Sequence, residues 1–334
     1  MGDQSFLAVA QFAKDLPGRN AGLDGGDSDH YSLIYRWDGS KFRVFQKIPS
    51  HGGRDLEYFQ IDKKSFIALA NLRAGSGPYI RTYSTIYTWD GCKFTPIQNI
   101  ATNAAQEWTS FKIKDTTYLA VANYAKVGKR GPDFNTNSVI YRWNGEQFTA
   151  IQSIPTYGIF TWEFFTIKSK HYLAAANGAG KTSVIYQWDG KQFNPVQNIT
   201  APNARDIKFF TLNNQHYLAV ANLGGDSAIY QWNGMKFELF QTIQGKGGRR
   251  FIVFERKGLV YLVKINYQID NNVKLKSQIY VWNGNRFDLT TEFPTSGATD
   301  ASYFTLNGHD YLAVSNGHKS KTSFRIDSVI YEVK

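Results

Sequence analysis

Six positions of this 334-residue chain each stand four residues before a phenylalanine, and they hold Asp55, Glu107, Thr161, Asp206, Arg250 and Asp300. Four of the six are carboxylates. A fold that carried them to one axis would crowd like charges and push each toward protonation, unless a cation or Arg250 offset the repulsion. Hard oxygen donors drawn from several segments suit Ca²⁺ better than zinc. Asp55, Glu107, Asp206 and Asp300 are therefore the candidate metal ligands, with Ca²⁺ as the expected ion and an Arg250-centred ion-pair network as the alternative. Paired acids about 5–10 Å apart could also hydrolyse a glycosidic bond. Nothing here sets a general acid apart from a nucleophile, however, and no nucleophile elbow, zinc-protease or phosphate-loop motif occurs. The reading is non-enzymatic. Trp108 and Trp162 follow two of the six positions and have no Trp counterpart in the others, which makes them candidates for stacking on a ligand.

These positions belong to a repeat. Ser-x-Ile-Tyr recurs seven times, with its Ile at 34, 86, 140, 185, 229, 279 and 330. Six copies run into Trp-Asp/Asn-Gly, a strong hairpin signal, and then into Phe-x-x-x-Gln-x-Ile, as at Phe42, Gln46 and Ile48. The sixth copy, Phe287 to Phe293, lacks the Gln. The Asp-x-x-x-Phe segment comes next, followed by Tyr-Leu-Ala-Val-Ala-Asn, complete at Tyr118–Asn123 and Tyr217–Asn222. Each unit thus predicts four short antiparallel strands: a (Asp-x-x-x-Phe), b (Tyr-Leu-Ala-Val-Ala), c (Ser-x-Ile-Tyr) and d (Phe-x-x-x-Gln-x-Ile). Seven such units are an all-β, seven-bladed propeller of four-stranded blades forming one domain over 1–334. The d–a step of about six to eight residues links the blades, which puts a innermost and places the d–a and b–c loops on one face. The chain opens on a b strand and closes on a c strand, so the terminal blades are incomplete: six a, seven b, seven c and six d.

Composition narrows the classes. With 24 Phe, 20 Tyr and 8 Trp the chain can bury a large core, which excludes disorder. Lys and Arg number 38 against 27 acids, giving +11. The basic residues are scattered, which favours a solubility surplus over a nucleic-acid surface. The single cysteine, Cys92, sits in a turn and is read as neither a disulfide partner nor a nucleophile. No apolar run approaches 18 residues, so no transmembrane helix is expected, and the N-terminus lacks the pattern of a secretory signal. The Ser before each Ile-Tyr and the Asn ending each b strand are read as satisfying loop backbone. Their alternative role is as equivalent glycan sites between blades.

The succession of Ile-Tyr strand, Trp-x-Gly turn, Phe-x-x-x-Gln-x-Ile, Asp-x-x-x-Phe and Tyr-x-x-x-Ala strand resembles the EPTP repeat, also called the epilepsy-associated or EAR repeat. The resemblance implies a seven-bladed propeller, an extracellular non-catalytic recognition role toward cell-surface proteins, and a calcium ion near the central channel. The b–c loops of the first three blades (12–31, 72–83 and 124–137) are long and unlike one another, which suits one large protein partner on that face. A multivalent lectin is the alternative. A third reading, polyanion binding, rests on Lys14, Arg19, Arg73, Arg81, Lys126, Lys129 and Arg130 in those loops. Of these, Arg73, Arg81, Lys129 and Arg130 join Trp108 and Trp162 as candidate ligand-binding residues.

Overall fold

The computed structural model describes residues 4–18, 26–76, 80–320 and 323–334. Among these every regular element is a strand, and no helix is long and apolar enough to cross a membrane. Seven small antiparallel sheets follow one another along the chain, the blades of a seven-bladed β-propeller. The first holds b, c and d (Phe6–Val9, Asp29–Trp37, Phe42–His51). Five four-stranded blades follow. The second, for example, pairs Gly53–Ile61, Lys64–Asn71, Arg81–Trp89 and Phe94–Asn103 in that order. The last holds a, b and c (Ala298–Leu306, His309–Asn316, Val329–Val333). The strand census is the one the repeat predicts. An additional hairpin, Lys126–Gly128 with Gly131–Asp133, interrupts the b–c connection of the third blade.

The chain divides into two compact units, residues 1–162 with 190–192, and residues 163–189 with 193–334. Inside each unit the first strands of successive blades are neighbours, which makes a the inner strand.

The b strands lack the alternation of a half-exposed strand because both of their faces are covered. In the first unit Ile67 and Leu69 pack with Ile34, Ile48 and Tyr87, while Ala68 and Ala70 face Trp108, Leu119 and Val121 of the next blade. The second unit repeats this layering, for instance Ala219, Ala221 and Ile229 against Phe251 and Leu262. Small Ala on one face and larger aliphatics on the other let adjacent twisted sheets interdigitate at core density. The turn tryptophans pack against the following Phe, as Trp89 does on Phe94 at 5.2 Å, and against the b strand of the preceding blade, as Trp143 does on Phe66 at 5.6 Å, which places them between neighbouring blades.

The d–a link is not six to eight residues long. Strand d runs on to His51 and strand a resumes at Gly53, so a single residue, Gly52 at φ +63°, makes the corner. The d strand continues past its Ile because its outer end still pairs with strand c, as Asp29 does with His51. Gly297 occupies the equivalent corner at φ +52°, and a Cβ there would stand 2.5 Å from the His318 ring, so glycine is required on two grounds. Each corner is gripped by b–c loops. Gly52 N donates to Ser28 O while Leu72 N donates to Gly52 O, and Gly247 repeats the pattern with Leu223 and Tyr267. The d–a corners and b–c loops therefore share one face, as expected.

Candidate functional site

The carboxylate position follows a β-bulge. Pairing of a with b shifts register between Gly53 and Asp55, Ala105 and Glu107, Ala204 and Asp206, Gly248 and Arg250, and Ala298 and Asp300. A bulge bends the strand and re-aims the residue after it. Re-aimed in this way, Asp55 accepts the backbone N–H of Trp108 at 2.9 Å, Glu107 that of Trp162 at 3.0 Å, and Asp206 that of Phe251 at 2.8 Å. In each pair the donor is the matching residue plus one in the following blade. The acids expected to gather a metal are latches from blade to blade.

In the second unit the set closes on Arg250. Its guanidinium lies 2.9 Å from Asp300 Oδ1 and 3.6 Å from Asp206 Oδ1, and Asp300 Oδ1 also accepts the Ala301 N–H at 2.8 Å. This donor set does not fit calcium, because an arginine supplies the positive charge between the two carboxylates. Within either unit, among the described residues, no three His, Cys, Asp or Glu side chains are grouped to hold a metal ion. Thr161 is buried, and its hydroxyl finds no partner.

A second latch, two residues further along strand a, was not anticipated. Glu57 accepts from Ser110 N and Oγ at 2.9 and 2.7 Å, and Glu163 accepts from Phe209 N at 2.9 Å with Lys208 Nζ at 3.1 Å. Burial pushes the Glu163 carboxyl above its ordinary pKa, against the opposing pull of Lys208 and the Phe209 N–H. Burial would lower Lys208, but the facing carboxylate outweighs it and the ammonium is held above its usual value. Only two of the six equivalent positions hold Glu, so no repeat pattern exposed the latch in the sequence.

The strand-d glutamines form a third set. Gln46 donates to Phe94 O at 2.7 Å and accepts from Phe94 N at 2.9 Å, so one amide completes a backbone-like bridge to the next blade. Gln98 with Phe148, Gln197 with Phe237 and Gln241 with Phe287 do the same. Each glutamine follows a bulge in the c–d pairing, as between Ile34 and Tyr35. Thr291 stands at this position in the sixth blade, and the sheet after it has three described strands and no d-strand Phe to bridge. Gln98→Ala strands one donor and one acceptor at a half-buried edge and should cost about 1–3 kcal/mol. A urea midpoint equal to wild type would show that the bridge contributes nothing.

The Ser and Asn positions do what the plainer reading expected. Ser84, Ser138, Ser227 and Ser277 are buried and accept the N–H of the Asn that ends strand b, at 3.0–3.2 Å. The Asn amides donate to c-strand carbonyls, as Asn71 does to Tyr83 O at 2.7 Å, and accept from the preceding d strand, as Asn71 does from His51 N at 3.0 Å. Equivalent glycan sites built on these groups are corrected: the hydroxyls and amides are enclosed, and the serine hydroxyls and Asn amide N–H groups named above are engaged with backbone. Asn222 Oδ1 is buried without a partner, and the residue that would supply its donor is Pro202, which has no N–H.

Trp108 and Trp162 are likewise corrected as stacking residues. They are 1% and 2% exposed, and their indole N–H groups donate to Leu69 O at 3.4 Å and Val121 O at 3.0 Å. They are core because their position packs against the neighbouring b strand. Arg73 is also buried, donating to Ser28 Oγ at 3.0 Å and lying over the Phe12 ring at 5.1 Å, so it offers no charge to a polyanion. Arg81, Lys129 and Arg130 are exposed. Lys14 and Lys126 pair with Asp27 and Asp133 at 3.1 and 3.4 Å, and Arg19 lies outside the described residues.

A family model described as the EPTP domain matches residues 41–90, 93–144, 147–189, 192–233 and 286–332. The chain is similar to the human thrombospondin-type laminin G domain and EAR repeat-containing protein, 39% identical over 150 residues, which is 44% of this chain and 22% of that protein. It is also similar to human leucine-rich repeat LGI family member 2, 28% identical over 176 residues, or 52% of this chain and 26% of that protein. The matched segments span about a quarter of each relative's length. Among solved structures, the periplasmic gluconolactonase PpgL of Pseudomonas aeruginosa shares the fold, with a TM-score of 0.60 at 15% identity over 98% of this chain and 97% of that one. The five matched stretches cover well over half of the sequence and carry most of the aromatic turns, glutamine bridges and carboxylate latches described above, so this chain belongs to the EPTP domain family.

Proposed function

We propose that this propeller is a non-enzymatic recognition module of the extracellular space, which binds a cell-surface or extracellular protein through the face formed by d–a corners and b–c loops. The observation that carries the reading is the hairpin Lys126–Asp133. It is anchored at its base by Tyr124, whose ring lies 5.0 Å from both Phe134 and Phe160. Its tip presents Lys129 and Arg130, and Val127 is 69% exposed. At the same end of the strands in this unit, Tyr31, Tyr83 and Tyr157 are exposed, as is Arg81. Exposed Tyr and Arg on a rigid scaffold are the residue types that anchor protein interfaces. Membership of the EPTP family supports the extracellular assignment and the protein partner.

A panel of secreted and cell-surface ectodomains tests it. Replacing residues 127–132 by an Asn-Gly turn should leave the unfolding midpoint within about 0.5 kcal/mol of wild type, as expected for an exposed appendage. It should weaken saturable binding at least about tenfold, the scale of one interface anchor. Glu146→Lys, in the exposed c–d turn at the other end of the same blade's strands, should bind as wild type does. Equal losses in both variants, or no saturable ectodomain, would overturn the assignment. Retention on heparin that survives moderate salt would separately dismiss polyanion binding.

A further inference from the structure

Adjacent basic residues occur four times in the sequence, as Lys63-Lys64, Lys129-Arg130, Arg249-Arg250 and Arg256-Lys257. Three of the pairs are built into blades. Lys63, at φ +65°, makes the tight turn between strands Gly53–Ile61 and Lys64–Asn71, and the strand after it carries the buried Phe66 and Ile67. Arg249 and Arg250 lie within strand a of the sixth blade, next to the fully buried Phe251. Arg256 ends that strand on an ion pair with Asp310 at 2.7 Å, and Lys257 takes φ +50° in the turn that follows. Only Lys129-Arg130 stands outside the blade sheets. It forms the tip of the hairpin in which Lys126, Val127 and Gly128 pair with Asp133, Pro132 and Gly131, a two-stranded sheet of its own. Lys126, Val127, Lys129, Arg130, Gly131 and Pro132 are all exposed.

A protease draws the residues around its target bond into an extended strand along its own cleft, so exposure is not sufficient and the segment must leave its place at small cost. At the three blade pairs this would strip a core strand from its neighbours. At the hairpin only three residue pairs open, and a lone two-stranded hairpin is marginal in water. The Lys126–Asp133 ion pair across it, at 3.4 Å, is solvent-exposed and holds little. We propose that the Arg130–Gly131 bond is a processing site for a serine endoprotease specific for paired basic residues. Lys129 and Arg130 supply the two cations that the acidic subsites of such an enzyme take, and Gly131 places no side chain on the leaving side. Water's hydroxyl joins the Arg130 carbonyl carbon and its proton goes to the Gly131 nitrogen as the C–N bond breaks. The new acid and amine then ionise to carboxylate and ammonium. The third blade's own ladder spans the cut: Tyr118–Val121 pair with Val139–Arg142, so residues 1–130 and 131–334 stay folded together. The proposal rests on the extracellular reading, because proteases of this class act along the secretory route.

Incubation of the purified, folded chain with a kexin-type convertase tests this. Two fragments should appear, with masses matching residues 1–130 and 131–334, while the cut protein elutes from gel filtration as one species. Lys129→Gln with Arg130→Gln, both on the exposed tip, should melt with wild type and be cut at least about tenfold more slowly, the scale of losing charged contacts in a specificity pocket. Lys63→Gln with Lys64→Gln should be cut at the wild-type rate. The chain secreted from convertase-bearing cells should arrive cut, and should arrive intact when the convertase is inhibited. First cleavage at another basic pair, equal rates for wild type and the tip variant, fragments that separate, or an uncut product from the secreting cells would each overturn the proposal. The purified reaction reads the site in any compartment, so its failure leaves the extracellular reading standing. A chain that the convertase cuts but no ectodomain binds fails the recognition reading alone.

Discussion

Asp206→Ala should unfold at a markedly lower urea concentration than wild type, at a cost of about 3–5 kcal/mol. Its side chain is 4% exposed, accepts the Phe251 N–H at 2.8 Å and faces Arg250. Truncation leaves a buried donor unpaired and an arginine with one carboxylate fewer, and both penalties fall on the folded state. Asp206→Asn keeps an acceptor for the Phe251 N–H and should lose only about 1–2 kcal/mol, the difference between a charged and a neutral hydrogen bond. The latch reading also expects EDTA and added calcium to leave the wild-type midpoint where it is, since Arg250 already balances the carboxylates. A small loss in Asp206→Ala, or a chelator-dependent midpoint, would return these acids to the role of metal ligands.

Lys264→Met should have the opposite sign. A lysine whose pKa falls from 10.5 to about 8 on folding binds fewer protons in the native than in the unfolded state between those values. Stability from this group therefore rises with pH across that window, and below pH 8 the full cost of burying the charge is present. At 1.36 kcal/mol per pKa unit the cost is about 3 kcal/mol at pH 7. Lys264 is fully buried in strand b of the sixth blade, where its Nζ donates to Gln244 O at 3.3 Å and Gly245 O at 2.6 Å, and methionine fills a similar volume without charge. The variant should be about 2–3 kcal/mol more stable than wild type at pH 7, and the gap should close as pH rises from 8 toward 10.5. Tyr87, Tyr141, Tyr186 and Tyr280, held up near 12 by burial, act in the reverse direction above pH 10, so the difference between the two proteins is the quantity to follow. A gap that does not vary with pH would show that Lys264 is not charged in its buried site.

The amino-acid sequence by itself determined the blade count, the strand order and which terminal strands are present. Ser-x-Ile-Tyr, Trp-x-Gly and Phe-x-x-x-Gln-x-Ile repeat with the spacing of four short strands, and local propensity and turn chemistry agree in the copies that carry them. It also marked the face with unequal loops, because loop length is a one-dimensional property. What the carboxylates do was decided only in three dimensions. Asp55, Glu107 and Asp206 have the same spacing whether they converge on an ion or reach for the next blade's N–H, and a bulge of one residue selects the second outcome. Trp108 and Trp162 broke the pattern for reasons of packing volume, which periodicity does not encode. Lys264 broke it within an apolar strand, yet its setting depended on a neighbouring d strand that stops at Ile243, where that of the first blade runs on to His51, and on the Gln244 and Gly245 carbonyls its ammonium meets. Repetition fixes what every blade must share. Departures from the repeat acquire their roles from the space around them, and that space exists only once the sheets are packed.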